Sequence, residues 1–103
     1  MIRIVFYLAD AGLAGFRAHG HAGYAESGSD IVCAAVSILT TTCANALESV
    51  AGLTPKVKAA PGKMILSLPV GSGHDAQVIL KTMRQGLRDL TDAYPDYLLL
   101  NEN

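Results

Sequence analysis

Two side chains in this sequence have the types and spacing for nucleophilic catalysis: His21 and Cys33, twelve positions apart. They sit in "GHAGYAESGSDIVCAAVS", Gly20 to Ser37, where a glycine-rich interval gives way to an apolar period. A thiol attacks a carbonyl as the thiolate, and at neutral pH an ordinary cysteine is only a few per cent ionised. A helix start and a neighbouring imidazolium both raise that fraction, the first through unpaired N–H groups and the macrodipole. The pattern offers both. Asp30 reads as an N-cap, with Ser27 or Ser29 as alternatives, which sets Cys33 in the first helical turn. The loop through Ser29 is long enough to fold His21 back over that turn. Cys33 then attacks a peptide carbonyl, His21 takes the thiol proton and returns it to the leaving amine, and water releases the acyl enzyme. The amides of the helix start are candidate donors to the oxyanion.

Each of these residues also has a plainer reading. Free cysteine is among the most buried residue types and usually packs as a small hydrophobe. At about 100° per residue, however, Cys33, Ser37, Thr40 and Ala44 share a narrow arc on the shoulder of the apolar stripe. A packed thiol would more naturally take the place of Val32 or Val36, and Cys43 reads as such a core thiol. Asp30 serves most simply as the cap; it could orient His21, but its charge would oppose a thiolate. Ser37 could bond substrate or thiol, or bond back to its own helix. Gly20 either permits an unusual backbone angle or lets a strand pack closely. His74 reads as an exposed residue near a second helix start. His19, His21 and Cys33 would make at most three zinc ligands, with no fourth at convincing spacing, so neither a metal nor another cofactor is expected. No C-x-x-C pair suggests redox catalysis. Ten residues of helix put Cys33 and Cys43 about 15 Å apart, beyond the roughly 7 Å reach of a disulfide.

The elements that must position these groups follow from hydrophobic period. "MIRIVFYLAD" predicts a strand ending at the turn Asp10-Ala11-Gly12. "LAGFRAHGHAGY" predicts its hairpin partner, with Phe16, Ala18, Gly20 and Ala22 on one face and Arg17, His19 and His21 on the other. Ala25 to Ser29 is a loop. From Asp30, Val32, Val36, Leu39, Cys43, Leu47 and Val50 form a helical stripe that ends at Gly52 before Pro55. "PKVKAAPGKMILSLP" predicts a hairpin turning at Pro61-Gly62. A second helix starts near Asp75 with Ala76, Ile79, Leu80, Met83, Leu87 and Leu90 as its stripe, and "YPDYLLLN" predicts a closing strand. The order is ββα-ββα-β. It implies a single-domain α/β sandwich over residues 1–103, a mixed or antiparallel sheet covered by two helices.

Composition bounds the function classes. The 103 residues are half hydrophobic, with a formal net charge of −1, enough for one core without a metal or disulfide. Lysine and arginine are scattered, as at Arg3, Arg17, Lys56, Lys58 and Lys63, with no basic run; no direct nucleic-acid binding is expected. The apolar run Ile4 to Ala9 is too short for a targeting segment or a membrane span, so a cytoplasmic protein without a membrane partner is expected.

The segment "GHA", a short loop and then "DIVCAAVS" resembles the signature of the ribosomal-processing cysteine proteases, the Prp family of bacteria. The resemblance extends to the "MIRI" opening and to "AQVILKTMRQGLRDL" in the second helix. It implies an α/β fold, a homodimer and a Cys/His dyad, with the nucleophile at Cys33 and the base at His21. Asp30 and Ser37 match the pattern with less defined roles, and Gly23 to Ser29 corresponds to a segment that orders around substrate, as its small residues suit. The implied reaction is removal of the N-terminal extension of large-subunit ribosomal protein twenty-seven. The implied cleavage motif has paired apolar or aromatic residues before the scissile bond and a small residue after it. His19 and "GSGHDAQ" fall outside the pattern. The competing class is a non-catalytic ribosome-associated binding module, whose binding would survive mutation of Cys33.

Overall fold

The computed structural model describes residues 1–10, 12–26 and 28–102. The chain runs β1 (Ile2–Ala9), β2 (Gly12–His19), α1 (Ile31–Ser49), β3 (Lys56–Ala60), β4 (Lys63–Ser67), α2 (Gly73–Ala93) and β5 (Leu98–Glu102), the expected ββα-ββα-β order. The five strands form one sheet in the order β3-β4-β2-β1-β5. Hairpin neighbours pair antiparallel, while β5 returns beside β1 in parallel, Ile2 opposite Leu98. The sheet is therefore mixed. The parallel pair needs a crossover, and α2 supplies it.

Alternation along the strands decides which face is covered. Ile2, Ile4 and Phe6 of β1, Phe16 and Ala18 of β2, Leu66 of β4 and Leu98 of β5 are buried in one core with Val32, Val36 and Leu47 of α1 and Leu80, Met83 and Leu87 of α2. Both helices lie on that face, and their contact is close: a Cβ at Gly86 would stand 2.7 Å from Leu39 Cδ2. Across the first hairpin Phe6 packs on Phe16 with ring centroids 6.1 Å apart.

Several boundaries differ from those the sequence predicts. β2 stops at His19, so His21 is not carried on the strand's alternation. The α1 stripe rotates toward the core: Thr40 and Ala44 are buried and Val50 is exposed. Thr40 tolerates burial because its hydroxyl donates to the Val36 carbonyl at 2.8 Å. This helix is long and apolar enough to cross a membrane by length and composition alone; here its apolar side is packed into the core. It ends with Gly52 N–H bonded to Glu48 O and Leu53 N–H to Leu47 O, closing the last carbonyls at a glycine with φ +70°. α2 begins at Gly73, two residues ahead of Asp75, and β5 begins only at Leu98 because Tyr94 to Tyr97 form a turn. Of the turn predicted at Asp10-Ala11-Gly12, Ala11 lies outside the described residues, as does Ser27, an alternative cap.

Candidate active site

Gly20 ends β2 and redirects the chain. Its φ is +101°, its N–H donates to Gly62 O at 2.9 Å, and a Cβ there would run into the Met1 carbonyl. Both readings of Gly20 thus apply: an unusual backbone angle and a close approach. The Met1 amine in turn donates to the His21 carbonyl at 2.6 Å. His21 is left exposed beyond the strand, its ring against the turn between β3 and β4. A Cβ on Gly62 would lie 2.8 Å from His21 Nε2 and 3.0 Å from Cε1. This turn is a wall of the site that sequence reasoning missed. Its signal, Pro-Gly at a hairpin tip, says where the chain reverses but not what the tip touches.

Asp30 organises the other side. Its Oδ1 accepts from Val32 N–H at 3.0 Å and Cys33 N–H at 2.9 Å, capping α1, while Oδ2 accepts from Tyr24 N–H at 3.1 Å. The Cys33 amide is the main reason its carboxyl stays below the usual carboxylate range; partial burial opposes this, and the amides of Tyr24 and Ala25 and the Cys33 thiol add to it. One carboxylate therefore closes the helix start and pins the loop. Tyr24 holds the loop a second time, edge-on to Tyr94 and Tyr97 with centroids 5.6 and 5.2 Å away. Because Asp30 occupies the Val32 and Cys33 amides, these are not free to receive an oxyanion, contrary to the expectation from helix geometry. A different amide reaches the sulfur: Ala22 N–H donates to Cys33 Sγ at 3.2 Å.

Cys33 is half-buried and Cys43 buried; both are free thiols. Burial pushes the Cys43 thiol up from its ordinary pKa, as expected of a core cysteine. Cys33, His21 and Ser37 all line two adjoining cavities. One, of about 470 Å³, runs between α1 and the β3–β4 hairpin over Ala18, Val36, Thr40 and Met64. The other, of about 480 Å³, lies under the loop, between Gly23, Ala25, Gly28 and Asp30. A chain crossing from one cavity to the other passes the thiol and the imidazole together. Ser37 is exposed and lines both cavities. Among the described residues no group of three or more His, Cys, Asp or Glu could hold a metal. His74 is exposed at the start of α2 and does not reach this site.

Fold and site together are those of a cysteine peptidase of the two-layer α/β kind. Residues 1–99 match the profile of the family described as cysteine protease Prp, and the chain belongs to that family. It is 29% identical over 100 residues to the ribosomal processing cysteine protease Prp of Bacillus subtilis (strain 168), covering 91% of this chain and 89% of that one. The fold superposes on the crystal structure of the essential ribosomal processing protease Prp from S. aureus with a covalently linked product peptide, at a TM-score of 0.93, 29% identity and full coverage of both chains. The same S. aureus protease with a substrate peptide gives a TM-score of 0.88 at 26% identity, again over the whole of both chains.

Proposed function

We propose that this peptidase removes the N-terminal extension of large-subunit ribosomal protein twenty-seven, in the cytoplasm and as a homodimer, with Cys33 as nucleophile and His21 as base. The observation that supports this reading is that Cys33 and His21 both line the same two adjoining cavities. The similarity to proteins that are themselves ribosomal processing proteases supports the substrate class.

Cys33 Sγ attacks the scissile carbonyl carbon, the thiol proton passes to His21, and a C–S bond forms as the carbonyl becomes an oxyanion. Collapse breaks the C–N bond, and His21 returns the proton to the leaving amine. Water then attacks the thioester, His21 again moving the proton, and frees Cys33. The Ala22 amide is the nearest built donor to the reacting sulfur and so the best candidate for charge developing beside it. The apolar cavity over Ala18, Val36 and Met64 suits the paired apolar residues before the scissile bond, and the loop-covered side a small residue after it. Ile31 and Ile38, one heptad apart and exposed on α1, offer apolar surface of the kind a second copy covers.

The test is a synthetic peptide spanning the extension and the mature N-terminus, incubated with the protein and read by mass spectrometry. Cleavage at a single bond is expected. An extension-bearing peptide that stays intact would move the non-catalytic binding module to the front.

A further inference from the structure

Three tyrosines far apart in the chain meet beside the site. Tyr24 stands in the loop after β2, its ring edge-on to Tyr94 and Tyr97 with centroids 5.6 and 5.2 Å away. Tyr94 closes α2 with its N–H on Leu90 O, and Tyr97 N–H bonds to Tyr94 O. Tyr97 O in turn accepts from Ile2 N–H at 2.9 Å, at the head of β1. Two of the rings are thus mounted on a turn tied to both the second helix and the sheet. The third is mounted on an exposed loop. Tyr24, Tyr94 and Tyr97 are not among the described residues that line the two cavities with Cys33.

Resting on the reading of Cys33 as the reactive thiol, we infer that these tyrosines are positioning residues: a clamp that holds the Ala22 amide on the Cys33 sulfur. Ala22 N–H reaches Sγ at 3.2 Å, and its aim depends on how the backbone is held on either side. Before Ala22 the chain is fixed, with Gly20 N–H on Gly62 O and the Met1 amine on His21 O. After it comes Gly23, at φ +72° with nothing within 4 Å of a Cβ, so packing does not hold that residue. The hold on this side falls to Tyr24. Its N–H bond to Asp30 Oδ2 is exposed, where water competes with it. Its ring contacts are the part that excludes water. An amide donating to sulfur favours thiolate over thiol, so keeping it in place raises the reactive fraction. The clamp thereby links the turn between α2 and β5 to the chemistry of α1.

The test is the rate at which iodoacetamide alkylates Cys33 near neutral pH, followed by mass spectrometry, with kcat and KM for the extension peptide on the same samples. The reagent is small and uncharged, so its rate reads the thiolate and its accessibility. Tyr24→Ala should slow alkylation about threefold, a roughly tenfold loss of thiolate being partly offset by the greater nucleophilicity of what remains. Tyr94→Ala should do the same, and the double variant no more than either alone. Tyr24→Phe keeps the ring contacts and should restore the wild-type rate, and Tyr7→Ala on the other side of the sheet should not change it. Cleavage should follow alkylation, with kcat falling more than KM changes. Tyrosines that only fastened the loop would act in the opposite sense, because their removal would uncover the thiol and speed its alkylation. Tyr24 lies outside the buried core, so its variant should keep the wild-type circular dichroism even where Tyr94→Ala does not. A folded Tyr24→Ala that alkylates as fast as wild type or faster would overturn the inference, and so would additive losses in the double variant. The alkylation rates decide the clamp whether or not the peptide is cut; an intact peptide counts against the substrate reading alone.

Discussion

The chain makes the same supersecondary unit twice, and the two helix starts that follow the hairpins have opposite characters. Before α1 stands an exposed loop of some ten residues, closed by Asp30, which takes two helix amides and one loop amide. Before α2 stands a short connection whose Ser72 makes no side-chain bond to the helix amides. There the stabilising contact comes from one turn inside: Gln77 donates to Leu13 O and accepts from Leu13 N, both at 2.7 Å, and so ties α2 to β2. The first start places a thiol, an imidazole and a serine hydroxyl on open cavities. The second places His74 in solvent and spends its polar side chain on the sheet. The difference teaches that the repeated architecture does not by itself build a cavity-lining cluster; what sets the two starts apart is the loop and its cap.

Substitutions at the two starts should separate rate from stability. The largest effect is expected at the thiols of α1. Cys33→Ala should lower peptide cleavage by about 10⁴-fold or more and His21→Ala by about 10²–10⁴-fold, while Cys43→Ala cuts normally wherever it is folded. Gly62→Ala comes next, because the added methyl group would stand 2.8 Å from His21 Nε2 and push the ring aside, and a misplacement near 1 Å can cost about 10²-fold in kcat. Gly52→Ala is the matched control: its φ of +70° is nearly that of Gly62 at +72°, but nothing lies within 4 Å of its Cβ. It should lose stability to backbone strain and keep kcat; equal kcat losses in the two variants would remove the β3–β4 turn from the site. At the second start, Gln77→Ala should cost about 1–3 kcal/mol in denaturant unfolding with kcat unchanged below the transition.

The smallest effect is electrostatic. Asp30 has a folded pKa below its ordinary value near 3.8, so the native state favours the carboxylate. Its contribution is complete above the unfolded pKa and disappears as pH falls through the folded one. Melting temperatures of wild type and Asp30→Asn should therefore converge toward acid pH; a gap that widens there would contradict the assignment.

How far the sequence discloses this follows from the range of each signal. The caps, hairpins and helices depend on neighbouring residues, and Asp30, Pro61-Gly62 and the period of Val32 to Leu47 announce them. The candidate thiol was visible because its helix start was. What stayed hidden depends on residues far apart in the chain. Gly62 beside His21 and the Ala22 amide on the Cys33 sulfur are set by how a loop closes. The end of β2 at His19 follows from a glycine whose φ the pattern does not specify. Thr40 looked like a shoulder residue, and its bond to Val36 O lets it enter the core. The tyrosine clamp is the clearest case: Tyr24, Tyr94 and Tyr97 meet only once the loop is laid against the turn that follows α2.

The central claim is that Cys33, and not Cys43, is the working thiol. The most direct measurement is one equivalent of iodoacetamide, with the modified cysteine mapped by mass spectrometry and cleavage of the extension peptide assayed on the same samples. Alkylation should fall on Cys33, with activity lost in proportion to labelling, while the buried Cys43 stays unmodified. Cleavage that persists after full labelling of Cys33, or loss that tracks Cys43, would contradict the account.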